Sequence, residues 1–171
     1  YLEFLITTII LNWSIYFTIV NSVMTDINEH MLIRLATKTD AKDLIAIDSV
    51  ASHDPQRILQ IHNWCMQGVC FLVEKNGKVM GYGVLNYHFF GCGFIEMLMV
   101  AEPYRRCGTG RILLNALKSK CQHPKLFTTT NRSNLPMQQL LLNSGFIASG
   151  HIENLDDGDP ELVYFYSKPL I

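Results

Sequence analysis

The chain predicts a mixed α/β domain built around one central strand, and three stretches carry that prediction. Phe94-Ile-Glu-Met-Leu-Met-Val100 is apolar except for Glu96, as a centrally placed strand should be. Directly after it a turn rich in arginine and glycine leads into Ile112, Leu113, Ala116 and Leu117, which recur at helical spacing. Upstream, Val69–Glu74 and Lys78–Tyr87 flank Asn76-Gly77, the strongest hairpin signal in the chain.

Taken in order, Met31–Ala36 is the first strand. Thr39-Asp40 caps a helix expected to run to about Ala51, with Ala41, Leu44, Ile45 and Ile47 on its apolar face. Pro55 opens a second helix, closed by Gly68, that turns Ile58, Leu59, Ile61, Trp64 and Cys65 inward. The hairpin follows, and Gly91 and Gly93 bracket the turn into the central strand. The next helix carries Lys118 and Lys120 in its last turn, where cations suit the helix dipole. Lys125–Thr130 is a fifth strand, and Leu135–Asn143 is a helix ended by Ser144-Gly145. Phe146–Glu153 and Glu161–Lys168 form a closing strand pair.

With 171 residues, one domain is expected to bury an adequate core unaided by disulfides or metals. A net charge of −1 offers no basic stripe, so nucleic acid is not an expected partner. Cysteines 65, 70, 92, 107 and 121 are odd in number and lack a Cys-x-x-Cys pair. The six histidines are scattered. Neither pattern is a disulfide framework or a metal site, and the free thiols fit a reducing, cytoplasmic compartment.

Residues 1–30 stand apart from the domain expected over 31–171. Between Tyr1 and Val20 the only charge is Glu3, and about 20 such residues suffice to span a bilayer as a helix. The stretch has no basic N-terminal flank and no small-residue cleavage site. Three readings compete: an accessory or artefactual segment outside the functional domain, a membrane anchor, and a helix packed on the domain or a partner.

The turn after the central strand has the make-up of an anion site. Gly108 and Gly110 let the backbone approach a ligand, and amides at a helix start have no intrahelical acceptor. Arg105, Arg106 and Arg111 add full charges. No Lys-Ser/Thr follows the glycines and no third glycine is present, which disfavours triphosphatase and dinucleotide loops. A turn without a ligand is the plain alternative for so short a motif.

The order Arg105-x-x-Gly108-x-Gly110, after Met99-Val100 and Pro103-Tyr104, resembles the acetyl-coenzyme A loop of the GNAT superfamily of N-acetyltransferases. A second signature runs from Asn134-x-x-Met137 to Gly145-Phe146, where the family has Asn-x-x-Ala and a helix ending in Gly-Phe. The resemblance covers about Met31 to Lys168. It implies the GNAT fold, a mixed central sheet of about seven strands with helices on both faces. It further implies that Arg105, Arg106, Cys107, Gly108, Thr109, Gly110 and Arg111 hold the coenzyme's pyrophosphate. Leu98, Met99 and Val100 would meet its pantetheine arm, and Asn134 and Asn131 would contact it as well.

The implied reaction moves the acetyl group of acetyl-coenzyme A to a primary amine by direct attack in a ternary complex. Charge growing on the acetyl oxygen needs a donor, for which the Val100 amide is the candidate. An amine with a pKa near 10.4 is about one part in two thousand neutral at pH 7. Glu96, at the place of the base glutamate in the histone-acetyltransferase branch, is the candidate general base, whose pKa burial would raise, against a solvated or structurally satisfied carboxylate as the plain reading. A covalent cysteine route is disfavoured.

Leu141 occupies the position of the family's acid tyrosine and cannot donate a proton. Ser144, Tyr164 and Tyr166 are weaker substitutes. That departure motivates the rival reading, a catalytically impaired acetyl-coenzyme A sensor or interaction module. Tyr87-His-Phe-Phe90, Trp64, His53 and the acidic set Asp156, Asp157, Asp159 and Glu161 are candidates for framing the acceptor, against core packing and a solvated turn as the plain readings. The acceptor itself is left open between small amines, amino acids, protein amines and charged tRNA. Homodimers are frequent in the family.

Overall fold

The computed structural model describes residues 31–168. The apolar stretch assigned to residues 1–23 lies outside the described residues. The elements follow the predicted order: β1 Met31–Leu35, α1 Ala41–Ile47, α2 Pro55–Gln67, β2 Cys70–Lys75, β3 Lys78–Phe89 and β4 Cys92–Val100, then α3 Thr109–Lys120, β5 Lys125–Asn131, α4 Leu135–Asn143, β6 Ile147–Ile152 and β7 Glu161–Ser167. The strands form one seven-stranded sheet in the order β1-β2-β3-β4-β5-β7-β6. Its one parallel pair among those resolved in register is β4 with β5, joined through α3 as a parallel crossover requires. No helix among the described residues is long and apolar enough to cross a membrane.

Two cores lie on opposite faces of the sheet. Leu44, Ile61 and Trp64 of α1 and α2 pack with Leu72, Tyr82 and Val84. Leu113, Leu114 and Leu117 of α3 and Leu141 of α4 pack with Leu85, Ile95 and Leu126. The apolar periodicity read from the sequence supplies both sets. Gly83 is what lets α3 sit so close: a β-carbon there would come within 2.6 Å of the Leu117 side chain.

Two elements differ from expectation for local reasons. Helix α1 ends at Ile47 rather than near Ala51. Asp48 leaves the helical region and its Oδ1 accepts from the Val50 and Ala51 amides at 2.8 and 3.2 Å, an alternative to continuing the helix. At the other end, Thr37 and Asp40 form a capping box one turn earlier than the sequence suggested.

The feature that positions the site is in β4. Val84 pairs with Met97 and Leu85 with Ile95, so Glu96 is the extra residue of a β-bulge. The ladder with β5 ends at the same place, Ile95 opposite Thr128. There the buried Thr128 hydroxyl donates to the Ile95 carbonyl at 2.9 Å. Beyond the bulge, from Met97 to Val100, β4 stays paired with β3 and is parted from β5.

Candidate functional site

An antiparallel ladder alternates bonded and non-bonded pairs, and this fixes where the free amides of β4 point. The Ala101 N–H donates to the Met80 carbonyl at 2.9 Å. Continuing the register, Met99 and Met97 are the bonded partners of Tyr82 and Val84, while Val100 and Leu98 sit opposite Gly81 and Gly83 in non-bonded pairs. The N–H groups of Leu98 and Val100 therefore face away from β3, into the gap that β5 has left. The Val100 carbonyl on that side accepts from Arg105 Nε at 3.0 Å.

Beyond the gap lies the start of α3. Pro103 sits in a single 3-10 turn, Glu102–Tyr104, which reverses the chain out of β4. Arg106 and Gly108 then adopt left-handed backbone, φ 61 and 85. For arginine that conformation is strained, by about 1 kcal/mol. Gly108 is the N-cap of α3 and offers no side-chain cap, so the first-turn amides of Thr109, Gly110 and Arg111 are left for a ligand. A β-carbon on Gly110 would lie 3.3 Å from Leu140 and 3.6 Å from Val100, so glycine lets the helix start press against the strand edge. The Thr109 hydroxyl is buried and has no hydrogen-bond partner among the described residues.

A groove of about 620 Å³ runs between these parts. Nine residues named from the sequence line it: Leu98, Met99, Val100, Arg105, Arg106, Gly108, Gly110, Arg111 and Asn134. Asn134 also caps α4, its Oδ1 accepting from the Met137 amide at 3.2 Å. Cys107 and Thr109 belong to the loop without lining the groove. Asn131 turns away, its Nδ2 donating to Asp156 at 2.7 Å. Pro136, Met137 and Leu140 line the groove unforeseen. Their signal was the α4 pattern itself, in which Leu140 and Leu141 fall on different sides of the helix.

A larger cavity of about 840 Å³ lies between α1, the β2–β3 turn and the segment Ala101–Arg105. It contains neither the glycine loop nor the outward amides of β4, and its size alone does not make it the functional site. Among the described residues, no group of three or more His, Cys, Asp or Glu is placed to hold a metal ion.

Glu96 is exposed at the bulge rather than buried as expected, and its Oε2 accepts from Asn86 Nδ2 at 2.5 Å. Asn86 is itself buried, and its Oδ1 takes the His88 amide at 3.1 Å. The carboxylate is thus held by a residue that nothing in the sequence singled out. Leu141 is fully buried in the α3/α4 core. Of the substitute donors, Tyr164 is buried in the same core, and the Ser144 hydroxyl is buried without a partner among the described residues. Tyr166 lies under Lys118, whose Nζ is 4.0 Å from the ring centroid. Burial holds the Lys118 pKa below its ordinary value, and its ammonium donates to the Ser144 carbonyl at 2.6 Å. None of the three substitutes lines the groove.

The residues expected near the acceptor divide. Trp64 is core, 6.4 Å from the Tyr82 ring, and His53 is exposed beside Ser52. The Tyr87 hydroxyl accepts from the Gln122 amide at 3.0 Å. Asp159 accepts from the Ser133 amide and hydroxyl at 2.9 and 2.6 Å, so with Asp156 it ties the β6–β7 loop to the start of α4. Phe89 and Phe90 join a line of rings across the sheet.

A family profile described as "Acetyltransferase (GNAT) family" matches residues 38–146. Among solved structures, a GNAT-family acetyltransferase from Bacillus cereus is 31% identical with a TM-score of 0.76, covering 82% of this chain and 99% of its own. The Salmonella typhimurium protein yncA, solved with its cofactor acetyl-CoA, is 19% identical with a TM-score of 0.65, over 81% of this chain and 94% of its own. A ribosomal-protein-alanine N-acetyltransferase from Brucella melitensis is 21% identical with a TM-score of 0.67, over 80% and 99%. No protein of curated function matches the sequence. The match over 38–146 and the 31% identity across nearly the whole Bacillus cereus chain settle the family: the chain belongs to the GNAT acetyltransferases.

Proposed function

We propose that the protein transfers the acetyl group of acetyl-coenzyme A to a primary amine, with Glu96 as general base and the Val100 amide as donor to the acetyl oxygen. The observation that carries this reading is the parted edge of β4. It places outward amides at Leu98 and Val100 beside a helix start whose own amides are free.

An anionic pyrophosphate suits the α3 end of the groove, where three arginines and the first-turn amides converge. The partnerless, buried Thr109 hydroxyl stands in the same turn. The pantetheine arm carries amide groups that can pair with the outward groups neighbouring Val100, such as the Leu98 N–H, as an added strand would. That arm brings the thioester to the Val100 end, where a fixed N–H favours charge on the acetyl oxygen over the neutral carbonyl. Glu96, on the β3-paired side of the bulge, takes the amine's proton directly or through a water. Asn86 holds the carboxylate in one orientation while leaving its other oxygen available.

With leucine at 141 and no acid in the groove, the thiolate leaves without a dedicated donor, which its modest basicity permits. The test is titration calorimetry with acetyl-coenzyme A followed by a thiol-release screen over amine pools. Binding with turnover supports the reading. Binding without turnover on any amine class favours the sensor, and no binding removes both.

A further inference from the structure

We propose that the acceptor is an aryl-substituted amine whose nitrogen sits at Glu96 and whose ring lies on Phe94, Phe89 and Phe127. This rests on the donor-and-base reading above and names the substrate class for that site. Asn86 pairs with Phe94, Phe94 with Phe127, and Phe127 with Phe165, so one lateral row crosses β3, β4, β5 and β7. Residues paired in register share a face of the sheet. The face is that of Tyr82 and Val84, from which Asn86 follows by alternation along β3.

The rings form a continuous surface. Phe89 stacks on Phe94 at 5.0 Å with planes 15° apart, and contacts Phe127 at 5.2 Å; Phe127 contacts Phe165 at 5.1 Å. The two helices of this face pack over the β1–β4 side, in a core that includes none of these rings. All four rings keep partial exposure, and Phe90 is 91% exposed on left-handed backbone at φ 53. A strained turn that presents an aromatic ring to solvent is poorly explained by packing.

Charge fixes the orientation of the occupant. Glu96 stands beside the β3 end of the row, bonded to the same Asn86 that pairs with Phe94. Along the strands, Glu96 lies two residues past the row on β4, and Lys125, on the same face of β5, lies two residues before it, on the opposite side. An ammonium is therefore drawn to Glu96 and away from the Lys125 end. Neighbouring cross-strand side chains lie about 5 Å apart, which two carbons between nitrogen and ring can bridge. The stacked pair favours a flat guest, because rings prefer offset-stacked and tilted contacts with other rings.

The experiment compares kcat/KM for 2-phenylethylamine, 2-cyclohexylethylamine and n-hexylamine, in wild type and in Phe127→Leu. The expected result is a preference of about ten-fold for the phenyl compound over both others. In Phe127→Leu the phenyl-to-hexyl ratio should collapse toward one, with acetyl-coenzyme A affinity retained. Equal rates for the three amines, or a preference that survives Phe127→Leu, would overturn the proposal. So would a stable dimer in sedimentation that Phe90→Ser dissociates, coupled with no ring preference, since the row would then be a subunit interface. Should no amine turn over, the transfer reading fails separately. Calorimetric binding of 2-phenylethylamine in the presence of coenzyme A then decides: binding lost in Phe127→Leu upholds ring recognition, and no binding in wild type overturns it.

Discussion

On the α3/α4 face, the donor groove is made chiefly of backbone: two outward amides of β4, a left-handed turn and a helix start. On the α1/α2 face, the proposed acceptor side is made of side chains aligned across strands: Asn86 with Glu96, then Phe94, Phe127 and Phe165. A backbone site needs few residue types, mainly glycines and a proline at fixed spacing, and tolerates variation elsewhere. A side-chain site depends on strand register. The same fold can therefore keep one ligand on the first face while the second face determines what is acetylated.

The largest expected effect breaks the link between the two faces. Glu96→Gln keeps the bulge and the Asn86 contact but removes the base, so turnover should fall by at least about 100-fold. Acetyl-coenzyme A affinity, measured by calorimetry, should stay within about two-fold of wild type if base and donor groove are separate. Loss of both together would mean that the faces are not independent.

Next is the support beneath the acceptor face. The fully buried Asp48 carboxylate accepts from the Tyr82 hydroxyl at 2.5 Å and lies 4.0 Å from Arg57 Nε. Burial pushes the Tyr82 hydroxyl well above its ordinary pKa, so it remains a donor. Asp48→Ala strands that hydroxyl, the Arg57 charge and two turn amides. A loss of about 3 kcal/mol is expected in urea denaturation.

A smaller effect sharpens the donor side. Arg105→Ala removes a groove charge and the bond to the Val100 carbonyl, and should weaken acetyl-coenzyme A binding about ten-fold. Its effect on stability should be slight, because Arg105 is exposed.

Outside both sites, the Arg34 side chain bonds Asp40 through two nitrogens, each at 2.8 Å, and holds its carboxyl well below the usual carboxylate range. A depressed carboxylate stabilises the fold fully above its unfolded pKa near about 4, and that contribution is lost as pH falls toward the depressed value. Arg34 is about one-third exposed, so Asp40→Asn should cost only about 1 kcal/mol at pH 7. The difference in Tm from wild type should shrink on acidification below about pH 4.

The same contrast explains what the sequence made legible. The order of elements, the hairpin at Asn76-Gly77 and the loop from Arg105 to Gly110 rest on local chemistry, and the structure bears out the fold. The early end of α1 at Ile47 was hidden because Asp48 competes for amides through a side-chain turn that apolar periodicity does not register. Asn131 and Asn134 are three residues apart and both were expected at the coenzyme, yet only Asn134, the one inside the second signature, lines the groove, because Asp156 from a distant loop captures the other. Glu96 was visible as a lone charge in an apolar strand. Its bulge, its exposure and its Asn86 partner were not, since they depend on a one-residue slip between β3 and β4. The lateral phenylalanine row was invisible because it depends on the registers of β4 with β5 and of β5 with β7.

The central claim is that acetyl-coenzyme A pairs with the parted edge of β4. Amide hydrogen exchange followed by NMR, with and without the coenzyme, tests it most directly. Exchange should slow at Leu98, Val100 and Thr109–Arg111, while Met97 and Met99, already bonded to β3, stay as they were. Slowing instead around Ser49, Ser52 and Gly77, with Leu98 and Val100 unchanged, would place the coenzyme in the larger cavity and contradict the account.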